Sequence, residues 1–346
     1  MTIARGRKVS LRRAVLADRP RVYAWMVESD LAHGAMGPPL YPDRPPPNYE
    51  QFCDDYEPYF FEGSRPFDGR GLIVQADGAD IGFLAYRRID LLRDVVELDV
   101  WLAGLRHCGQ GRGSEALVLA SEWLQENFGV NRFVLRPSRR NVRALRALRR
   151  AGFRETDLPA AEVIAKLALP KPRYFDEVLL FRVLPPPAAL LDPTGDRVYV
   201  FVDSEFTSLA EPRLISIGAV ATDTAAFYCE LNDWPHEHCS EFVRAEVLPQ
   251  LEGGAVSHPV AADAFAHWLA DRAEAAPVTI VSDSGFDRWA LADLLGSEDL
   301  PAGAEWRQVP IDAERLDDSA RALGLRRHHA LDDARALRHA LLGPMR

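Results

Sequence analysis

Two carboxylates, Asp203 and Glu205, stand one residue apart at the end of an apolar run in RVYVFVDSEFTS, residues 197–208. Val198 to Val202 are all apolar and suit the interior of a sheet. On an extended strand, residues two apart face the same way, so both carboxylates share one face. Uncompensated like charges at that separation repel, and one is driven toward protonation. A divalent cation resolves the conflict, since hard oxygen ligands suit Mg²⁺ or Mn²⁺. Such a site needs further carboxylates, and two are suitably placed: Asp287 in SGFDRWAL and Asp333 in HHALDDARAL.

Taken in order, Asp-x-Glu, then Phe-Asp at a helix start, then His-x4-Asp resembles the DEDDh exonucleases of the ribonuclease H-like superfamily. Within them it looks most like the small bacterial 3′–5′ exoribonuclease group. The resemblance covers nearly all of residues 197–346. It implies two-metal hydrolysis of phosphodiester bonds from nucleic-acid 3′ ends, with RNA favoured over DNA. Asp203, Glu205, Asp287 and Asp333 would bind two Mg²⁺ or Mn²⁺ ions, and His328 would be the general base. The family spacing selects His328, because His329 is one residue too close to Asp333. Asp332 is read as a helix cap or a solvent-facing residue, and Asp283 as a loop residue rather than a fifth ligand. Phe206 either stacks on a terminal base or belongs to the core.

A second kind of chemistry is suggested by HCGQGRGSEALVLASEWLQ, residues 107–125, where Gly109, Gly111 and Gly113 lie between a strand and a helix. Glycines let backbone amides approach a phosphate closely, and a helix N-terminus adds partial positive charge. No Gly-Lys-Ser/Thr follows, so this is not a P-loop, and the elements downstream do not suit a dinucleotide fold. Together with PSRRNVRALRALRRAGF at 137–153, the loop resembles the acyl-CoA-binding motifs of the GNAT N-acetyltransferase superfamily, over roughly residues 8–184. Cys108 departs from the family's first motif position. The resemblance implies that acetyl-CoA is held by the amides of Gly109, Gln110, Gly111, Arg112, Gly113 and Ser114, with Asn141 near the pantetheine arm. Leu148 occupies the place of the tyrosine that serves many family members as general acid.

An amine must lose a proton before it attacks a thioester, so a cleft carboxylate is expected as base. In VVELDVWL, alternation sends Glu97, Asp99 and Trp101 to one face, and either Glu97 or Asp99 could serve. The alternative is that both decorate a solvated sheet face. CDDYEPYFFEG at 53–63 would suit a polycationic acceptor, or is an amphipathic segment with a solvated acidic face. Arg139, Arg143, Arg146 and Arg150 are read as one helical stripe that meets a phosphate or simply faces solvent. The acceptor is left as an aminoglycoside, an aminoacyl-tRNA or a translation protein, and the alternative first unit is a noncatalytic CoA-sensing or RNA-positioning module.

The elements that must position these groups divide in two. A chain of 346 residues is too long for one small core. Residues 1–185 hold 28 Lys/Arg against 24 Asp/Glu, and residues 186–346 hold 13 against 27. That asymmetry favours separate units, and it makes the second a poor nonspecific binder of long nucleic acid by charge alone. The expected domains are 1–184, with an α+β fold and a mostly antiparallel sheet, and 197–346, with an α/β fold and a mixed sheet. LPPPAALLDPTGD supplies a Pro-rich linker at 185–196, and PPLYPDRPPP at 38–47 reads as a long loop. The four cysteines form no Cys-x-x-Cys pair and read as reduced thiols. With no apolar run of membrane-spanning length and no secretory pattern, a cytoplasmic enzyme is expected.

Overall fold

The computed structural model describes residues 2–32, 46–172, 176–186, 191, 196–301 and 303–343. Two compact units emerge, Met1–Gln125 with Val130–Pro185 and Glu126–Gly129 with Pro186–Arg346. The expected loop at 38–47 and linker at 185–196 fall mostly outside the described residues. Among those residues, no helix is long and apolar enough to cross a membrane.

In the first unit β1 (Thr2–Arg5) and β2 (Ser10–Arg13) lead to α1 (Arg19–Val27), α2 (Tyr49–Asp55) and α3 (Tyr59–Glu62). β3 (Gly69–Ala76), β4 (Ala79–Asp90) and β5 (Val95–Leu102) follow. Then come α4 (Arg112–Phe128), β6 (Arg132–Leu135), α5 (Val142–Arg150), β7 (Arg154–Glu155), α6 (Ala160–Lys166) and β8 (Leu180–Val183). The sheet order is β1-β2-β3-β4-β5-β6-β8-β7. Every neighbouring pair is antiparallel except β5 with β6. Asp77 and Gly78, at φ 52° and 77°, make the tight turn that joins β3 to β4. The parallel pairing is confined to Val96–Phe133 and Glu97–Val134, so β5 continues past Glu97 without β6 beside it.

Segment 53–63 is amphipathic. Phe52, Tyr56, Phe60 and Phe61 are buried against Phe83 and Trp101, while Asp54, Asp55, Glu57 and Glu62 are exposed. Each buried ring contributes on the order of 2 kcal/mol, which accounts for the aromatic residues without any ligand. Arg139 does not share the helical stripe expected of it. It precedes α5 and pairs with Glu155 at 2.5 Å, whereas Arg143, Arg146 and Arg150 are exposed on the helix.

The second unit opens with β9 (Val198–Phe206), β10 (Leu214–Ala221) and β11 (Ala226–Glu230). α7 (His258–Ala273), β12 (Val278–Ser282), α8 (Gly285–Leu295), β13 (Ala304–Gln308), α9 (Ala313–Leu323) and α10 (Ala330–Leu342) follow. The strand order is β11-β10-β9-β12-β13. β10 is antiparallel to both neighbours, and β12 is parallel to both β9 and β13, so the sheet is mixed. One face buries Val200, Val202, Ile217 and Ile280 against Phe265, Leu269, Leu291 and Leu294 from α7 and α8. The other buries Tyr199, Phe201, Val220 and Val281 against Leu316, Ala320, Ala334 and Leu337 from α9 and α10. Residues 241–250 are helical throughout, π-helical over Val243–Val247 and 3₁₀ over Leu248–Gln250, which contains Pro249. β13 and α9 have no counterpart in the sequence-based expectation.

Candidate functional site

In the second unit, strand alternation decides which groups meet. Along β9, Tyr199 and Phe201 pack on the face that carries α9 and α10, and Asp203 and Glu205 continue that row. Ser204 points the opposite way and donates its hydroxyl to Asp287 Oδ1 at 2.5 Å. Asp287 lies in the first turn of α8, where the helix dipole favours a carboxylate, and it is only 2% exposed. Its other oxygen, Oδ2, has no hydrogen-bond partner among the described residues.

Two groups of ligand atoms result. Oxygens of Asp203, Asp283 and Asp287 lie within 4.8 Å of one another, and Glu205, Asp333 and His328 form a second such group. All five residues named from the sequence are thus gathered at this end of β9. Asp283 lies in the bend between β12 and α8, the loop position expected of it, and its carboxylate also reaches the first group. The sequence does not show that reach, because it depends on how sharply the chain turns between β12 and α8. Burial, reinforced by Asp287, Asp333, Glu205 and Asp283, pushes the Asp203 carboxyl well above the usual range. Burial also raises Asp287, with Asp283 adding to it, and Glu205 is pushed up to about 8 by burial and Asp333.

His328 is held by the chain around it. Its backbone occupies the left-handed region at φ 61°, and its amide donates to Asp333 Oδ2 at 2.8 Å. Arg326, two residues before it, bridges Glu252 at 2.8 Å and Asp332 at 2.7 Å. Arg327, the residue just before it, pairs with Asp317 at 2.7 Å and with Asp333. Such pinning maintains a conformation that costs a non-glycine residue on the order of 1 kcal/mol. The His328 ring stands edge-on to Phe242, 4.9 Å between centroids, and Phe242 is largely exposed. His329 instead caps α10. Asp332 is neither a cap nor solvent-facing; it is buried between Arg326 and Arg335. Phe206 packs beside Phe286 and Trp289 at the rim of the core.

Five carboxylates and one imidazole offer hard oxygens with a single nitrogen, and no thiolate is among them. With the unpartnered Asp287 Oδ2, that set fits Mg²⁺ or Mn²⁺.

The first unit builds its site around the end of β5. Gly109 and Gly111 sit at φ 78° and 79°, a region an L-residue rarely adopts, immediately before the N-terminus of α4. Lys8 reaches over the loop and donates to the Gln110 carbonyl at 2.8 Å. Among the described residues, the amides of residues 109–114 find no backbone acceptor outside their own helix. Arg112 is paired with Asp77. The Ser114 hydroxyl donates to the Ala147 carbonyl at 2.8 Å, so toward a phosphate only its amide is left to donate. Asn141 caps α5 by accepting from the Ala144 amide at 3.1 Å, which fixes its carbonyl oxygen.

The two candidate bases differ. Glu97 does not decorate a solvated face; it is buried and pairs with Arg136 at 3.6 Å, which also binds Glu177 at 2.8 Å. Asp99 is half-buried and accepts from the Tyr56 hydroxyl at 3.3 Å. Leu148 is 2% exposed within the core and offers no proton.

A family model described as the acetyltransferase (GNAT) domain matches residues 8–154, from just before β2 to the start of β7 in the first unit. No curated protein matches the sequence. Similar solved structures include the aminoglycoside acetyltransferase AAC(6')-Ib in complex with coenzyme A, 18% identical, covering 51% of this chain and 94% of that one at a TM-score of 0.38. RimL, a ribosomal L7/L12 alpha-N-protein acetyltransferase in complex with coenzyme A, is 16% identical over 53% and 98%, with a TM-score of 0.41. The microcin C7 self-immunity acetyltransferase MccE in complex with acetyl-CoA and AMP is 15% identical over 52% and 94%, with a TM-score of 0.40.

Proposed function

We propose that the chain is a bifunctional enzyme, whose second unit is a ribonuclease H-like, cation-dependent 3′–5′ exonuclease and whose first unit is an acetyl-CoA-dependent N-acetyltransferase. The observation that carries the nuclease reading is the convergence of five carboxylates and His328 at one end of β9. So much like charge destabilises a fold unless something of opposite sign binds there. Asp203, Asp287, Glu205 and Asp333 would hold the cations, and Ser204 keeps Asp287 oriented through its hydrogen bond. Two bound Mg²⁺ or Mn²⁺ ions would supply activation of water and charge neutralisation at the leaving 3′-oxygen. His328 accepts the proton of the attacking water, and its pinned backbone holds the ring beside Glu205 and Asp333. The exposed ring of Phe242 is available for stacking a terminal base. Single-stranded RNA is the favoured substrate.

For the first unit, support comes from the family match together with the loop at the end of β5. Amides 109–114 bind the CoA pyrophosphate at the N-terminus of α4. The edge of β5 beyond Glu97, left without β6, can pair with the amides of an extended pantetheine arm. Asp99 takes the proton from the attacking amine, because Glu97 is already engaged by Arg136. The buried Leu148 favours a second reading, in which the unit binds CoA without transferring its acyl group.

Incubating the full chain with Mn²⁺ and single-stranded RNA labelled at the 5′ end tests the reaction class. A ladder that shortens stepwise supports the proposal. Immediate release of the label as a short fragment, or no cleavage, contradicts it.

A further inference from the structure

We propose that Asp283 is a cation ligand, the third carboxylate of a seat made with Asp203 and Asp287 and separate from the seat of Glu205 and Asp333, beside which His328 stands. The inference rests on reading the second unit as a cation-dependent hydrolase, and it deepens that reading by assigning a group outside the motif carboxylates. Three observations carry it. The ligand oxygens of Asp203, Asp283 and Asp287 lie within 4.8 Å of one another, close enough for one ion to touch all three. Asp287 is 2% exposed, and its Oδ2 has no hydrogen-bond partner among the described residues, a costly state for a buried acceptor unless a ligand completes it.

The third observation is the turn that carries Asp283. Its carbonyl accepts from Gln308 Nε2 at 3.1 Å. Next to it, the Ser282 hydroxyl donates to the Ser284 carbonyl and accepts from Trp306 Nε1, both at 3.0 Å. Ser284 then caps α8 through the Phe286 amide at 3.1 Å. A side chain on a turn fixed from both flanks is held in place before any ion arrives, which is what a ligand requires.

The consequence is electrostatic. Once the arriving ion displaces their protons, the three carboxylates present three negative charges to it, so this seat would fill from protein ligands alone. Both cations are then expected to bind before the nucleic acid, without its phosphate oxygens completing a site.

Calorimetry of the full chain with Mn²⁺, in the absence of nucleic acid, tests this. Wild-type protein is expected to bind two ions. Asp283→Asn, which keeps the shape and removes the charge, is expected to weaken one of them at least tenfold and leave the other within twofold. Melting provides a second readout. Without metal, Asp283→Asn should melt above wild type because repulsion is relieved, and saturating Mn²⁺ should reverse that order. Unchanged Mn²⁺ affinity in Asp283→Asn, while Asp203→Ala and Glu205→Gln each lose an ion, would overturn the role of Asp283 alone. Wild-type Mn²⁺ binding by Asp203→Ala and Glu205→Gln would overturn the underlying hydrolase site.

Discussion

Gly218 and Leu331 touch backbone to backbone: a Cβ placed on Gly218 would overlap the main chain of Leu331 in the first turn of α10. Gly218 is also the residue that pairs with Asp203 across β9 and β10. The absence of one side chain therefore lets α10 lie against the sheet, bringing His328 and Asp333 to the carboxylates of β9. Gly218→Ala is expected to destabilise the second unit by about 1–3 kcal/mol, the usual cost of forcing atoms into a packed interior. Denaturant melting of the full chain, followed by the tryptophans of this unit, measures it. A midpoint equal to wild type would mean that the close approach is not required.

The glycine loop before α4 makes a parallel demand on Gly111, at φ 79° beneath Lys8. Gly111→Val combines backbone strain of about 1–2 kcal/mol with a side chain in the path of the pyrophosphate. CoA affinity measured by calorimetry should fall at least tenfold, with the melting temperature of the second unit unaffected. Unchanged affinity would remove the loop from the CoA site.

Glu97 and Asp99 should separate cleanly. Glu97→Gln leaves Arg136 with only part of its buried ionic partnership, so it is expected to lower the stability of the first unit by about 1–3 kcal/mol. Asp99→Asn should keep stability and CoA affinity near wild type while lowering acetyl transfer on the order of 10²-fold, with kanamycin as the probe amine. Full transfer by Asp99→Asn would return the role of base to Glu97.

How much of this was legible in the sequence depends on where each signal resides. β5 was readable because the alternation in VVELDVWL is a local signal. β9 and its two carboxylates were readable for the same reason. β1 and β13 were not, since TIAR and AEWRQ are short edge segments with no clean alternation. The commitment of Ser114 to Ala147, the buried pairing of Asp332 with Arg326 and the arrival of Asp283 beside Asp203 all depend on tertiary packing. A residue type shows what chemistry is available; only the fold shows whether the group is already engaged.

Acid sensitivity should trace to an ion network that no motif announced. Arg12 bridges Asp18 and Asp80, each at 2.7 Å, and Arg21 joins both. Burial opposes the charge on Asp80, but hydrogen bonds from Arg12 and Gln75 prevail and hold its carboxyl at about 2. A carboxylate lowered by folding contributes stability above its unfolded value, near 3.8, and loses it as pH falls toward 2. The contribution is of order 2 kcal/mol. Asp80→Asn should be less stable at neutral pH and should show a shallower loss of stability between pH 4 and 2. An identical pH profile for variant and wild type would dismiss the network as the cause.

Cation-dependent 3′–5′ hydrolysis is read from the products released from single-stranded RNA after the protein has been stripped with EDTA and supplied with Mn²⁺. Chromatography should find nucleoside 5′-monophosphates accumulating from the 3′ end only when Mn²⁺ is returned, and none from Asp203→Ala. Release that is independent of Mn²⁺, or that persists in Asp203→Ala, would contradict the account.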